Sequence, residues 1–247
     1  MCDTTKATVN GGEYGIMLAV GGVAAILSAF GALADVAIGM ATGGGISDLP
    51  SDALGRFAEL LASPALGLYH LDLLNLVTTL IMVPVLYACW LALRQSGAAA
   101  SLALTLGAIG TAVFVAINPA LPLLGLSWDY ASADIVRREL LSAAGEALLA
   151  RGAHGSPGVL PAFMLVTLAN IVLSGELLRT RIFGRATGML GLSGNLLLAV
   201  YLILVTFLPQ VRPIAMAVAA PGGLLAIAWT VLTGIGLFRL SRNHTSC

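Results

Sequence analysis

Charge is what this sequence has least of. Only 10% of its 247 residues are Asp, Glu, Lys or Arg, against about 25% in soluble domains. A chain so poor in charge and 58% apolar cannot cover itself with a water-facing surface, so most of its solvent is lipid. The net charge is zero, which leaves no basic field for nucleic acid. Cysteine is scarce. Cys2, Cys89 and Cys247 have no pairing or metal spacing, which excludes a disulfide framework. The three histidines, His70, His154 and His244, are too scattered for a zinc or multi-haem site. No nucleophile elbow, metal-binding His-Glu pattern or phosphate loop occurs. Nothing calls for a cofactor or metal.

Long apolar runs are abundant. A membrane-crossing helix needs about 20 mostly apolar residues. Six segments qualify, at about 15–41, 66–93, 98–123, 157–179, 186–208 and 214–239; the last has an alternative start near Pro221. The fold expected is an all-α polytopic transmembrane bundle, one integral membrane domain over 1–247. The first run is too long for a cleaved signal peptide and contains Asp35, so it reads as an uncleaved span.

Six spans put both termini on one side. With cytoplasmic termini, the inner segments hold Lys6, Arg94, Arg179, Arg181, Arg185, Arg239 and Arg242. The outer loops hold Arg56, Arg137, Arg138, Arg151 and Arg212 among several acids. The inner arginines sit in short loops beside span ends, as in "RTRIFGR", which favours that orientation. Two outer-loop segments, 51–62 and 132–152, read as amphipathic helices. In the second, Val136, Leu140, Ala143, Ala144, Ala147 and Leu148 recur at helical spacing, with Arg138, Ser142 and Glu146 on another face. Ser132 and Asp134 suit its start. Such a helix lies on the outer surface or caps the bundle. Glycine and proline mark the breaks, at 43–45, 155–158 and 221–223.

Within the spans, polar residues are few enough to weigh singly. Asp72, Asn75 and Thr79 form a stripe on span 2, and Thr167, Asn170 and Ser174 repeat its spacing on span 4. This echo raises the alternative that spans 1–2 and 3–4 are parallel repeats. An acid at mid-membrane costs about 2.5–3.5 kcal/mol on insertion scales, so Asp35 and Asp72 are candidates for ligand or proton chemistry. The competing role is packing. His70 lies about 200° around the same helix from Asp72 and reads as a packing residue. Asn118, before Pro119, ends or kinks span 3. Asn170 reads as an interhelical hydrogen-bonder, and Glu176 as the ion-pair partner of Arg179. A stripe of small residues (Ala24, Ser28, Ala32, Asp35, Gly39) places Asp35 at a helix contact, and "GMLGLSGN" allows close approach on span 5. On this topology Asp35, Asp72, Asn75, Asn118, Tyr130 and Glu146 gather in or near the outer half. With Asn170 they are the candidate ligand-binding residues of an outward-opening recess.

The segments "HLDLLNLVTTLIMVPVLYACWLALR", "NPALPLLGLSWDYASA", "RRELLSAAGEALLA" and "GRATGMLGLSGNLL" resemble, in order, a family of bacterial six-span membrane proteins built on a domain of unknown function. The likeness covers about 60–240. "WDY" and "RGAHGSPG" depart from it. The resemblance implies a multi-pass protein of the inner (cytoplasmic) membrane, and no activity.

Three functions are compatible with these residues. One is binding or transport of a small solute or lipophilic ligand through the recess. Another is a membrane enzyme using paired carboxylates, Asp72 with Asp35 or Glu146, on a lipophilic substrate. The third is a structural or accessory subunit with a homo-oligomeric or other membrane partner. The first is preferred for its intramembrane acids on packed helices.

Overall fold

The computed structural model describes the backbone of residues 4–42 and 49–245, with side chains over 12–42 and 49–243 except 209. Cys2, the glycines at 43–45 and Cys247 lie outside the described residues, as do the side chains of Lys6 and His244. Those residues form ten α-helices, one 3-10 turn and no strand. The protein is an all-α membrane bundle. Six helical stretches are long and apolar enough to cross a bilayer: Gly12–Thr42, Leu73–Leu93, Ala98–Ser132, Leu160–Thr180, Arg185–Phe207 and Arg212–Asn243.

The spanning helices are α1 (Thr4–Thr42), α4 (Leu73–Leu93), α5 (Ala98–Ile117), α8 (Leu160–Thr180), α9 (Arg185–Phe207) and α10 (Arg212–Thr245). Each packs on its neighbour in sequence, and α10 closes the ring against α1. Close approach depends on small residues, as the glycine runs suggest. A methyl on Gly21 would meet Ala88 of α4 at 2.2 Å, and one on Gly194 would meet the backbone of Ala226 in α10 at 2.9 Å. Hydrogen bonds also cross the ring, as from the Ser241 hydroxyl to the Gly15 carbonyl at 2.8 Å.

The short helices gather at one end of the ring as a cap: α2 (Ala53–Ala62), α3 (Pro64–His70), α6 (Ala120–Ser132) and α7 (Ile135–Gly152). The cap has its own core of Ala53, Phe57, Leu60, Leu71, Ala120, Leu123 and Leu149. The opposite end carries Arg94, Arg179, Arg181, Arg185, Arg239 and Arg242, and is called the basic side below.

Several expectations need correction. The run 66–93 is not one helix. It breaks at Leu71–Asp72, where Asp72 takes a left-handed φ of 63°, so the helical angle between His70 and Asp72 does not exist. Pro84 lies inside α4 without ending it, and α10 runs through Pro221. The helix of the 98–123 run does stop at Asn118–Pro119, as those residues led us to expect, but a new helix then continues past 123 to Ser132. Helix α7 exists, begun by the Asp134 carboxylate accepting from the Arg137 N–H at 2.8 Å. Its expected apolar face is not its packed face. Val136 and Leu140 are 70% and 68% exposed, while Gly145, Leu149 and Gly152 are buried. Glycines let this half approach the cap and α5, and the larger residues are left outside.

Candidate functional site

The site begins at the break in α3–α4. A residue preceding a helix commonly turns its carboxylate onto the first free N–H groups. Asp72 makes no such cap. Its Oδ2 lies 3.1 Å from His154 Nδ1, and His154 Nε2 lies 2.8 Å from the Tyr201 hydroxyl. The three residues come from the α3–α4 break, the α7–α8 loop and α9. A left-handed backbone at a residue other than glycine costs about 1–2 kcal/mol, less for Asp. Strain of this kind collects where geometry serves function. Here it aims the carboxylate across the bundle.

The loop that carries His154 is a tight knot. The Ser156 N–H bonds the Ala153 carbonyl at 2.9 Å, and Gly155 takes φ 78°. Gly152 sits so close to the end of α5 that a methyl there would lie 2.1 Å from the Ile117 carbonyl oxygen. That obstacle is backbone and cannot swing away. Gly152→Ala should therefore destabilise the protein by about 1–3 kcal/mol or more and shift His154. A thermal melt checks the first effect. Failure of the variant to show the His154 titration discussed below checks the second.

Electrostatics favour a charged His154. Burial alone would lower its pKa. The Asp72 carboxylate, by charge and hydrogen bond, and then Tyr201 outweigh burial and raise it to about 10. His154 keeps 23% and Asp72 17% of the side chain exposed, so the pair is sheltered without being sealed. As an imidazolium, His154 donates to both partners, leaving the Tyr201 O–H free to donate onward. As neutral imidazole with its proton on Nδ1, it accepts from Tyr201 instead. The carboxylate, imidazole and phenol thus form a short proton relay.

Asp35 adjoins this relay. The Tyr69 hydroxyl donates to the Asp35 carbonyl at 2.8 Å. The Tyr69 phenol is pushed up to about 12 by burial and then by the charges of Asp35 and Asp72, so it remains a donor. Asp35 is exposed, however, and beyond Ala29 no described residue of α1 is buried. The stripe of small residues is buried at Ala24 and Ser28, and at Asp35 its helix contact is the one to Tyr69 of α3.

The cap-side half of α4 is less deeply buried than its basic-side half, although α1 still approaches it closely, a methyl on Gly31 lying 2.3 Å from Thr78. From Asp72 to Pro84 no residue of α4 is buried on any face, whereas Val85, Leu86, Ala88, Cys89, Leu91 and Leu93 are. Along α10 only Ala215 and Gly222 are buried before Trp229. On the basic side, Leu18, Ala25, Val85, Cys89, Leu177 and Leu237 belong to one dense core. The cap-side half is therefore the more loosely buried part of the bundle, with Asn75 and Thr79 one and two turns along α4 from Asp72.

Other candidates serve the scaffold. Asn118 is buried and doubly bonded: its Nδ2 donates to the Leu71 carbonyl at 3.1 Å, and its Oδ1 accepts from the Ala120 N–H at 3.1 Å. It therefore pins the α3–α4 break and starts α6. Glu146 accepts from the Ala53 N–H at 2.7 Å, beginning α2. Tyr130 packs its ring on Phe57, with the Arg138 guanidinium 5.2 Å from its centroid. His70 pairs with Glu59, which also holds Arg56. Glu176 pairs with Arg179. Asn170 makes no interhelical bond through Oδ1, which is buried without a partner among the described residues. His154 and Tyr201 were not among the sequence candidates; the signal for His154 was its place in a compact Gly-Ser-Pro-Gly loop. Among the described residues, no group of three or more His, Cys, Asp or Glu side chains is placed to hold a metal.

The chain matches no protein-family model, and no curated protein or solved structure is significantly similar to it.

Proposed function

We propose that this multi-pass membrane protein binds and moves a small solute or lipophilic ligand through the cap-side recess, with Asp72, His154 and Tyr201 as its proton-exchanging centre. The observation that carries this reading is the relay itself, placed where α4 loses its buried face. A purely structural network has no need of a histidine and a carboxylate left partly exposed between helices. A ligand site needs both a few placed polar groups and room. The exposed flank of α1 at Asp35 gives a lipophilic ligand a lateral approach. The distribution of short arginine-bearing loops supports an outward-facing cap and cytoplasmic termini in a cytoplasmic membrane.

Access is tested with single cysteines at Asn75 and Thr79 and a charged, membrane-impermeant methanethiosulfonate added from the cap side. Both cysteines should label, and Cys89, which is fully buried, should not. Transport is tested by current measurements on proteoliposomes challenged with a panel of solutes under a proton gradient. Asp72→Asn should abolish any current that the wild type shows. Unlabelled cysteines, or a current unchanged in Asp72→Asn, would overturn the reading.

A further inference from the structure

The α8–α9 turn on the basic side carries a feature that the cap-side recess does not use. Helix α8 ends at Arg181, which takes a left-handed φ of 57°. Helix α9 starts at Arg185 after Gly184, with no acid in its first turn. Between the two helices lies a groove of about 350 Å³ lined by Leu178, Arg181, Arg185, Met189, Leu192 and Ser193. The arginines hold its mouth, at the ends of two spanning helices, and the apolar side chains run from there towards the bilayer core.

The charges of this groove are uncompensated. Nearby Arg179 is neutralised by Glu176. Arg181 and Arg185 have no carboxylate partner among the described residues, and no acid lines the groove. Two cations a few residues apart repel, while the negative end of α8 at Arg181 and the positive end of α9 at Arg185 oppose one another. Guanidinium groups pair well with phosphate. Below them Met189 is 50% exposed and offers an apolar wall of the kind an acyl chain covers. Basic pockets between spanning helices on the cytoplasmic side suit anionic head groups.

We propose that Arg181 and Arg185 with the Leu178–Met189–Leu192 wall form a binding site for one anionic phospholipid, phosphate at the arginines and acyl chain in the groove. Charge and apolar lining together select the occupant. A free phosphate would leave the wall uncovered, and a neutral lipid would leave the arginines unmatched.

The test is native mass spectrometry of protein released from bilayers of equal phosphatidylglycerol and phosphatidylcholine. The wild type should retain phosphatidylglycerol over phosphatidylcholine. Arg181→Gln with Arg185→Gln should weaken that retention by roughly twenty-fold, since each basic residue near a surface contributes about a fivefold factor. Arg181→Lys with Arg185→Lys should keep most of it, and Leu192→Asn should weaken it without changing charge. Arg137→Gln with Arg138→Gln, on the cap, should leave it unchanged. Gel-filtration profiles verify that each variant is folded. Equal retention of both lipids by the wild type, or full retention by the double glutamine variant, would overturn the proposal.

Discussion

Asp72→Asn should lower the pKa of His154 well below its wild-type value of about 10 and flatten a pH dependence in the stability of the protein. Asparagine tolerates the left-handed backbone nearly as well as aspartate, so the substitution removes charge and leaves shape. Burial, which already pushes the imidazole down, then acts without its main opponent. The sign of the linkage follows from the wild-type shift. A histidine whose folded pKa is raised adds stability that is fully present below the unfolded value of 6.5. That stability is lost as pH rises through the folded value near 10. Wild-type protein should therefore melt at progressively lower temperature between about pH 6.5 and 10, after allowance for other groups. Asp72→Asn should flatten this slope and cost about 1.5–3 kcal/mol at pH 6, the range for a hydrogen bond to a charged group. Melting curves across that window on both proteins check it. Equal slopes would mean that Asp72 does not hold His154.

Asn118→Leu should be the most destabilising single change near the site. Leucine is close to asparagine in size and fits an apolar surrounding, so cavity formation contributes little. The loss is in hydrogen bonding. The Leu71 carbonyl and the Ala120 N–H lose their bonds to Asn118 inside a buried region. Each buried group left unpaired costs about 1–3 kcal/mol, so about 2–6 kcal/mol is expected. The consequence extends beyond stability. Leu71 adjoins Asp72, and without the Asn118 amide the left-handed turn loses its fixed neighbour. The His154 titration should then weaken even though Asn118 touches neither His154 nor Tyr201 in the relay. Asn118→Asp separates the two roles, because its carboxylate still accepts from Ala120 but cannot donate to Leu71. Thermal melts and the pH slope, measured on both variants, distinguish the scaffold role from a ligand-contacting one.

The sequence shows the bundle plainly because membrane helices are specified by length and hydropathy, properties local to each run. All six spans are present, and their ends differ from expectation by a few residues where backbone geometry intervenes. The break at Leu71–Asp72 was hidden inside an apolar run. An aspartate can leave helical φ, but nothing beside it announces that it does. Asp72 itself was legible, as an acid in an apolar segment. Its partners were not. His154 is 82 residues away and Tyr201 a further 47, and only packing of α9 and the α7–α8 loop brings them together. Glu146, Asn118 and Tyr130 carried the right chemistry for a recess, yet the fold spends them on helix starts and cap packing. Sequence alone does not reveal which polar groups the backbone has already claimed. In α7 the apolar periodicity pointed to a surface or capping helix, and the glycines Gly145 and Gly152 decide which side meets the rest of the protein.

The proposed proton-exchanging centre requires a charged His154 that bridges Asp72 and Tyr201. The most direct test is solid-state nitrogen-15 NMR of the histidine rings in lipid bilayers at pH 8, with His154→Gln to assign the signal. A doubly protonated His154 ring is expected at that pH, becoming neutral in Asp72→Asn. A neutral His154 ring in the wild type at pH 8, or a charged one that persists in Asp72→Asn, would contradict that expectation.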